Sequence, residues 1–126
     1  MQSGQASWTA EVMALFRALE SARPAADRLF EDPFAPLFLR PSLRSVLRLS
    51  QRPAARRLIL RFLDSRWPGA RSSGVARTRL IDDWLRAALA DGAAQVVILG
   101  AGFDCRAYRL PEVRRARVAT SAVAGR

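Results

Sequence analysis

Gln95-Val96-Val97-Ile98-Leu99-Gly100-Ala101-Gly102-Phe103-Asp104 is the stretch that decides the fold class of this chain. Four apolar residues, three of them β-branched, run directly into a Gly-x-Gly turn. A short, continuously apolar run of this kind reads as a buried strand of a parallel sheet, whose faces are covered by helices. Glycines at its C-terminal end let the chain turn sharply and remove the Cβ atoms that would hold a ligand away. The stretch therefore predicts an α/β fold with a ligand site where the first strand ends.

Upstream, the apolar residues recur at helical spacing. Trp8 to Glu20 reads as a helix with Thr9 as its cap and a stripe of Val12, Leu15, Phe16 and Leu19. Arg23-Pro24 ends it. The turn through Leu29–Pro36 is expected to be packed down by Phe30 and Phe34, with short helical pieces over Leu37–Leu39 and Ser42–Leu49. Pro53 suits the first turn of the next helix, with Ser50 or Gln51 near its cap and Leu58, Ile59, Phe62, Leu63 and Trp67 on its buried face. Arg71-Ser72-Ser73-Gly74 reads as a loop. A helix from about Val75 to Asp91 follows, with Leu80, Ile81, Trp84, Leu85, Ala88 and Leu89 as core stripe, Arg79–Asp83 and Asp82–Arg86 as solvent-side pairs, and Gly92 at its end. Downstream lie a short turn or helix from Asp104 to Leu110 and a weak second strand over Val118–Ala124.

Two units are expected on this pattern: a helical region over residues 1–92, and the start of an α/β domain over 93–126. A βαβ unit takes about 30 residues, so the second unit holds one at most. The sheet is expected to be incomplete, with an open and very apolar strand edge favouring self-association.

Composition narrows the class. The chain has 126 residues, half of them hydrophobic, which is enough for one core. No stretch approaches the roughly 18 apolar residues of a membrane span, and the N-terminus lacks the regions of a secretory signal. The single cysteine, Cys105, makes no internal disulfide, so a cytoplasmic setting is expected. The net charge is +10, from 21 basic and 11 acidic residues, and every basic residue is arginine. That balance allows an alternative reading as a small basic helical protein binding nucleic acid or an anionic surface. Nucleic acid is the disfavoured partner, because the arginines are spread from Arg17 to Arg126 and their exclusive use points to a GC-rich coding bias. A third reading is an interaction subunit whose strand Val96–Leu99 pairs with a partner sheet.

The glycine pattern narrows the ligand. A dinucleotide fingerprint has a third glycine for close helix–strand packing, with the pyrophosphate on the helix N-terminus. Here that position is Cys105, and no phosphate cradle follows. The site is thus read as made for a ligand without a pyrophosphate, and S-adenosylmethionine is the usual one on this architecture.

The longer stretch Gln95 to Leu110, ending in Asp104-Cys105-Arg106-Ala107-Tyr108-Arg109-Leu110, resembles motif I of the leucine carboxyl methyltransferase-like family. Arg17-Ala18-Leu19-Glu20, followed by Asp27-Arg28-Leu29-Phe30-Glu31-Asp32-Pro33-Phe34-Ala35, is similar to the family's N-terminal signature. Arg77-Thr78-Arg79-Leu80-Ile81-Asp82-Asp83 resembles its Arg-Thr helix. The resemblance implies the N-terminal part of a Rossmann-like class I methyltransferase fold. It also implies S-adenosyl-L-methionine as cofactor, and O-methyl transfer to a carboxylate or other small-molecule acceptor by in-line displacement. It implies that Gly100, Ala101 and Gly102 admit the methionine part of the cofactor and that Arg77 pairs with its carboxylate. Asp104 is then placed near the amino group or as a cap for the following helix.

Cys105 reads as a spacer, and Tyr108 and Trp84 as core aromatics. With no histidine and no convergent carboxylates, no catalytic or metal-binding constellation is expected. In the family an acid ends the second strand and holds the ribose hydroxyls, whereas Arg117 to Arg126 contains none. The expectation is therefore a truncated and inactive N-terminal fragment.

Overall fold

A computed structural model describes residues 8–121, a mixed helix–strand fold ending in a two-stranded parallel sheet. The first helix, α1 (Trp8–Ser21), is the hub of the core. Its predicted stripe of Val12, Leu15, Phe16 and Leu19 is buried, and Ala14 and Ala18 beside it let neighbouring backbone approach. Thr9 lies inside this helix rather than capping it. Phe30 is buried as expected, and a 3-10 turn over Ala35–Phe38 leads into α2 (Pro41–Leu49). The third helix, α3 (Pro53–Arg66), starts at its proline. Its N-cap is Arg52 without a side-chain cap, while Ser50 donates back to the Leu47 carbonyl.

Several expectations are corrected in the long helix α4 (Ala70–Ala90). It begins one turn early, so the expected loop Arg71–Gly74 is helical. Gly69, at φ +75°, makes the turn that starts it. Gly74 is inside the helix because α1 crosses there: a Cβ at this position would lie 3.2 Å from Met13 Sδ. The expected core stripe is met only in part, with Leu85 and Leu89 half-buried. Gly74, Val75, Thr78 and Asp82 are buried against the rest of the molecule, whereas Leu80, Ile81 and Trp84 are exposed, Trp84 at 65%. In α3, Leu63 is buried, but Leu58 and Phe62 are exposed by 67% and 64%. Tyr108 is likewise exposed rather than a core aromatic. The reason is common to all of them: apolar spacing states which residues would gain from burial, and no element among the described residues covers these faces.

Gly92, at φ +103°, ends α4 as predicted. Strand β1 (Gln95–Leu99) pairs in parallel with β2 (Arg117–Ser121), Val97 opposite Ala119, across two one-turn helices, α5 (Arg106–Arg109) and α6 (Pro111–Arg114). Val113 of α6 is fully buried beneath this crossover. The β1 strand is not buried on both faces as expected: Val96 and Ile98 are half-buried, and Leu99 is 79% exposed. The expected second strand extends to Ala124, and its last three residues lie outside the described ones.

Candidate functional site

The Gly-x-Gly turn leaves β1 with Gly100 at φ +60° and Gly102 at φ +49°, a conformation that an L side chain adopts only at a cost. A Cβ on Gly100 would meet no atom within 4 Å, so its side of the turn is open space. The turn is tied to the sheet by a hydrogen bond from Ala101 N to the Ser121 carbonyl, 3.2 Å, and closed by one from Asp104 N to the Ala101 carbonyl, 2.7 Å.

A cleft of about 310 Å³ opens beside this turn, between α1 and α4. Of the five residues singled out in the sequence, Gly100, Ala101, Asp104 and Arg77 line it; Gly102 lies next to it in the turn without lining it. Arg77 is exposed and has no ion-pair partner among the described residues. Asp104 accepts from the Arg106 backbone N–H at 2.9 Å and forms a close ion pair with the Arg106 guanidinium. It thus holds the start of α5 and faces the cleft at once. Cys105 is buried, and burial pushes its thiol up to about 11, so it is neutral and unreactive at ordinary pH.

Two clamps that sequence reasoning missed fix the turn from opposite sides. On one, Arg17 of α1 donates to the Phe103 carbonyl at 2.8 Å and to Asp32 at 2.9 Å. Asp32 is buried and its other oxygen accepts from the backbone N–H groups of Phe34 and Ala35. The Phe103 ring stacks on Phe38, centroids 4.5 Å apart, adding an apolar tie to the same region.

On the other side stands Asp82, expected as a surface partner of Arg86 but found fully buried. Arg106 Nε donates to its Oδ1 at 2.8 Å, and Arg109 Nη2 lies 2.7 Å from both of its oxygens. The Arg109 hydrogen bond goes to Oδ1; Oδ2 has the ion contact alone. Arg86 instead approaches Asp83 and Glu112. The neighbouring Arg79–Asp83 pair is exposed, as predicted. Arg17, Asp32 and Asp82 all lie in the stretches quoted for their resemblance. That was the available signal, because nothing local links residues 15 to 86 positions apart.

The cleft suits the amino-acid end of a nucleoside sulfonium: an open glycine backbone, one uncommitted guanidinium and an anchored turn. For the ribose end, β2 offers Val118, Ala119, Thr120 and Ser121, and no carboxylate.

Residues 10–119 match the family model described as Leucine carboxyl methyltransferase. A protein of Frankia alni is 43% identical over 102 residues, covering 81% of this chain and 32% of that protein. Proteins of Streptomyces coelicolor and Mycobacterium tuberculosis are 42% and 40% identical over 107 residues, covering 33% and 29% of their own lengths. All three carry the name "Putative S-adenosyl-L-methionine-dependent methyltransferase". The chain spans about a third of the length of these curated relatives. By the extent of the family match, this chain belongs to the leucine carboxyl methyltransferase family.

Proposed function

We propose that this chain supplies the cofactor-binding turn of an S-adenosyl-L-methionine-dependent methyltransferase of the Rossmann-like class I type. In this reading residues 93–126 begin the cofactor domain and residues 1–92 pack over it. The reaction is O-methyl transfer to a carboxylate or similar small acceptor in a cytoplasmic setting. One observation carries the reading: the Gly100–Gly102 turn, at the C-terminal end of a parallel strand, opens onto a cleft bordered by an uncommitted arginine.

When bound, the cofactor supplies an electrophilic methyl group on a sulfonium sulfur. Arg77 holds a carboxylate at the cleft mouth, as a planar guanidinium fork is suited to do. The Gly100–Ala101 backbone makes the floor, and the Arg17 and Asp82 clamps keep that floor rigid. Positioning of donor and acceptor then does most of the work, and no general base is assigned. The alternative of a small basic nucleic-acid-binding protein is not favoured by the family match. We keep self-association through the open β1 edge as a secondary expectation.

Backbone amide shifts read by NMR during titration with S-adenosylmethionine test this reading. Shifts should move at Gly100–Asp104 and Arg77, and Arg77→Ala or Gly100→Val should abolish the movement. Movement elsewhere only, or none at millimolar ligand, refutes it. Since β2 brings no carboxylate to the ribose, the dissociation constant should be weaker than about 100 μM, near −5.5 kcal/mol. Much tighter binding would show that the ribose hydroxyls are held by other means.

A further inference from the structure

The apolar faces of α1, α2 and α3 do not close on one another. Between them lies a groove of about 380 Å³ whose ten lining residues are all aliphatic or aromatic, among them Trp8, Val46, Leu58, Phe62 and Trp67. This volume falls in the range of small-ligand sites, and unfilled space beside so many apolar groups forfeits their dispersion contacts. Leu58 and Phe62 remain largely in water although they face it.

Two arginines stand over aromatic rings that line the groove. The Arg40 guanidinium lies 5.0 Å from the Trp8 ring centroid, and that of Arg66 lies 5.4 Å from the Trp67 ring. Arg40 is committed to Glu11 through two hydrogen bonds, whereas Arg66 has no carboxylate partner among the described residues. Along the chain, no acid occurs between Asp32 and Asp64, and Arg44, Arg48, Arg52, Arg57 and Arg61 are all exposed there. An apolar groove with the unpaired Arg66 beside it, on helices that carry a surplus of exposed arginines, fits a hydrocarbon chain carrying an anionic head.

The groove also lies near the cofactor cleft, with Met13 standing between. A smaller cleft, of about 240 Å³, shares Trp8, Val12 and Trp67 with the groove and Met13 with the cofactor cleft. We propose that the groove between α1, α2 and α3 binds a single-chain anionic amphiphile of the long-chain carboxylate class. Binding does not depend on the methyl-transfer reading. Only the further step, that such a carboxylate is the methyl acceptor, rests on it.

Calorimetry on the full chain tests the proposal, using dodecanoate, dodecanol and dodecyltrimethylammonium as monomers. Dodecanoate should bind saturably at one site, about tenfold or more tighter than the trimethylammonium ligand. Phe62→Ala and Leu58→Ala alter exposed side chains, so the fold should survive them, as far-UV circular dichroism would show. Each should weaken dodecanoate by about tenfold, and Arg66→Gln should shrink the preference for the anionic head.

Equal binding of the three ligands overturns the proposal, as does indifference to Phe62→Ala. So does binding to phosphatidylglycerol vesicles without binding to monomer, which would make the hairpin of α2 and α3 a membrane-contact surface. A dimer that dodecanoate does not dissociate would assign the groove to a second copy. Because S-adenosylmethionine is titrated separately, loss of cofactor binding with retained dodecanoate binding sinks methyl transfer and spares the groove; the reverse result sinks the groove alone.

Discussion

Asp82 and Asp83 are adjacent aspartates on one helix, and the structure assigns them opposite energetics. Asp82 is fully buried, and its partners Arg109 and Arg106 are exposed by only 4% and 14%. Removing its carboxylate leaves Arg109 in a poorly solvated site without a counter-charge, and leaves Arg106 with Asp104 alone. Breaking a buried pair in this way costs about 3–5 kcal/mol. Asp83 is 46% exposed and its pairs with Arg79 and Arg86 lie in water, where such contacts contribute about 0.3–0.5 kcal/mol. Asp82→Ala should therefore destabilise the chain several-fold more than Asp83→Ala.

The measurement is urea unfolding followed by far-UV circular dichroism. A domain's whole stability is about 5–15 kcal/mol, so Asp82→Ala leaves little in hand. The double variant Asp82→Ala/Arg109→Met guards against outright unfolding: with one stranded cation removed, it should be more stable than Asp82→Ala alone. Two results would refute the reasoning. One is a pair of single variants differing by less than about 1 kcal/mol, within the range of ordinary surface changes. The other is a double variant no better than its Asp82→Ala parent.

Gly74→Val should cost about 1–3 kcal/mol by overpacking the α1–α4 crossing, while Gly74→Ala should be near neutral in the same unfolding assay, because helix propensity offsets a contact with the movable tip of Met13. Hydrogen bonding from Arg40 holds the Glu11 carboxyl below its ordinary value of 4.5, so its contribution to stability is present above that value and lost as pH falls through the lower, folded one. Unfolding midpoints measured against pH should decline in that acid window, and less steeply in Glu11→Gln. Burial holds the Cys105 thiol protonated up to about 11, so native protein at pH 8 should react with iodoacetamide far more slowly than urea-unfolded protein; equal rates would show that the site is open.

The local half of this fold was legible in the sequence. Val12, Leu15, Phe16 and Leu19 recur at helical spacing and are buried; Pro53, Gly92 and the β-branched run Val96–Ile98 mark their elements within a residue or so. The Gly-x-Gly turn and Arg77, named from motif and resemblance, border one cleft. What was not legible is what holds that cleft. Arg17 reaches Phe103 across 86 positions, and Arg106 reaches Asp82 across 24. Helical pairing rules see three or four positions, and so assigned Asp82 to Arg86. A buried carboxylate and a solvated one have the same letter, and only the fold distinguishes them.

The partly met core stripe of α4 carries the same lesson in apolar form. This helix has two groups of apolar residues: Val75 is buried, while Leu80, Ile81 and Trp84 are exposed. Periodicity detected the second because its residues are larger, and it then equated a large apolar face with a buried one. The face that packs is the one whose small residues, Gly74 and Thr78, allow close approach, since contact between helices is limited by backbone separation before it is limited by hydrophobicity. On β1 the same division recurs, with Val96 and Ile98 half-buried and Val97 and Leu99 in water. Hydrophobic pattern thus states how much burial a surface would gain from, and residue size states where burial is geometrically possible. Read together, Gly74 and Thr78 would have pointed to the packed face of α4, and left Leu80 and Trp84 as a surface still open to a partner.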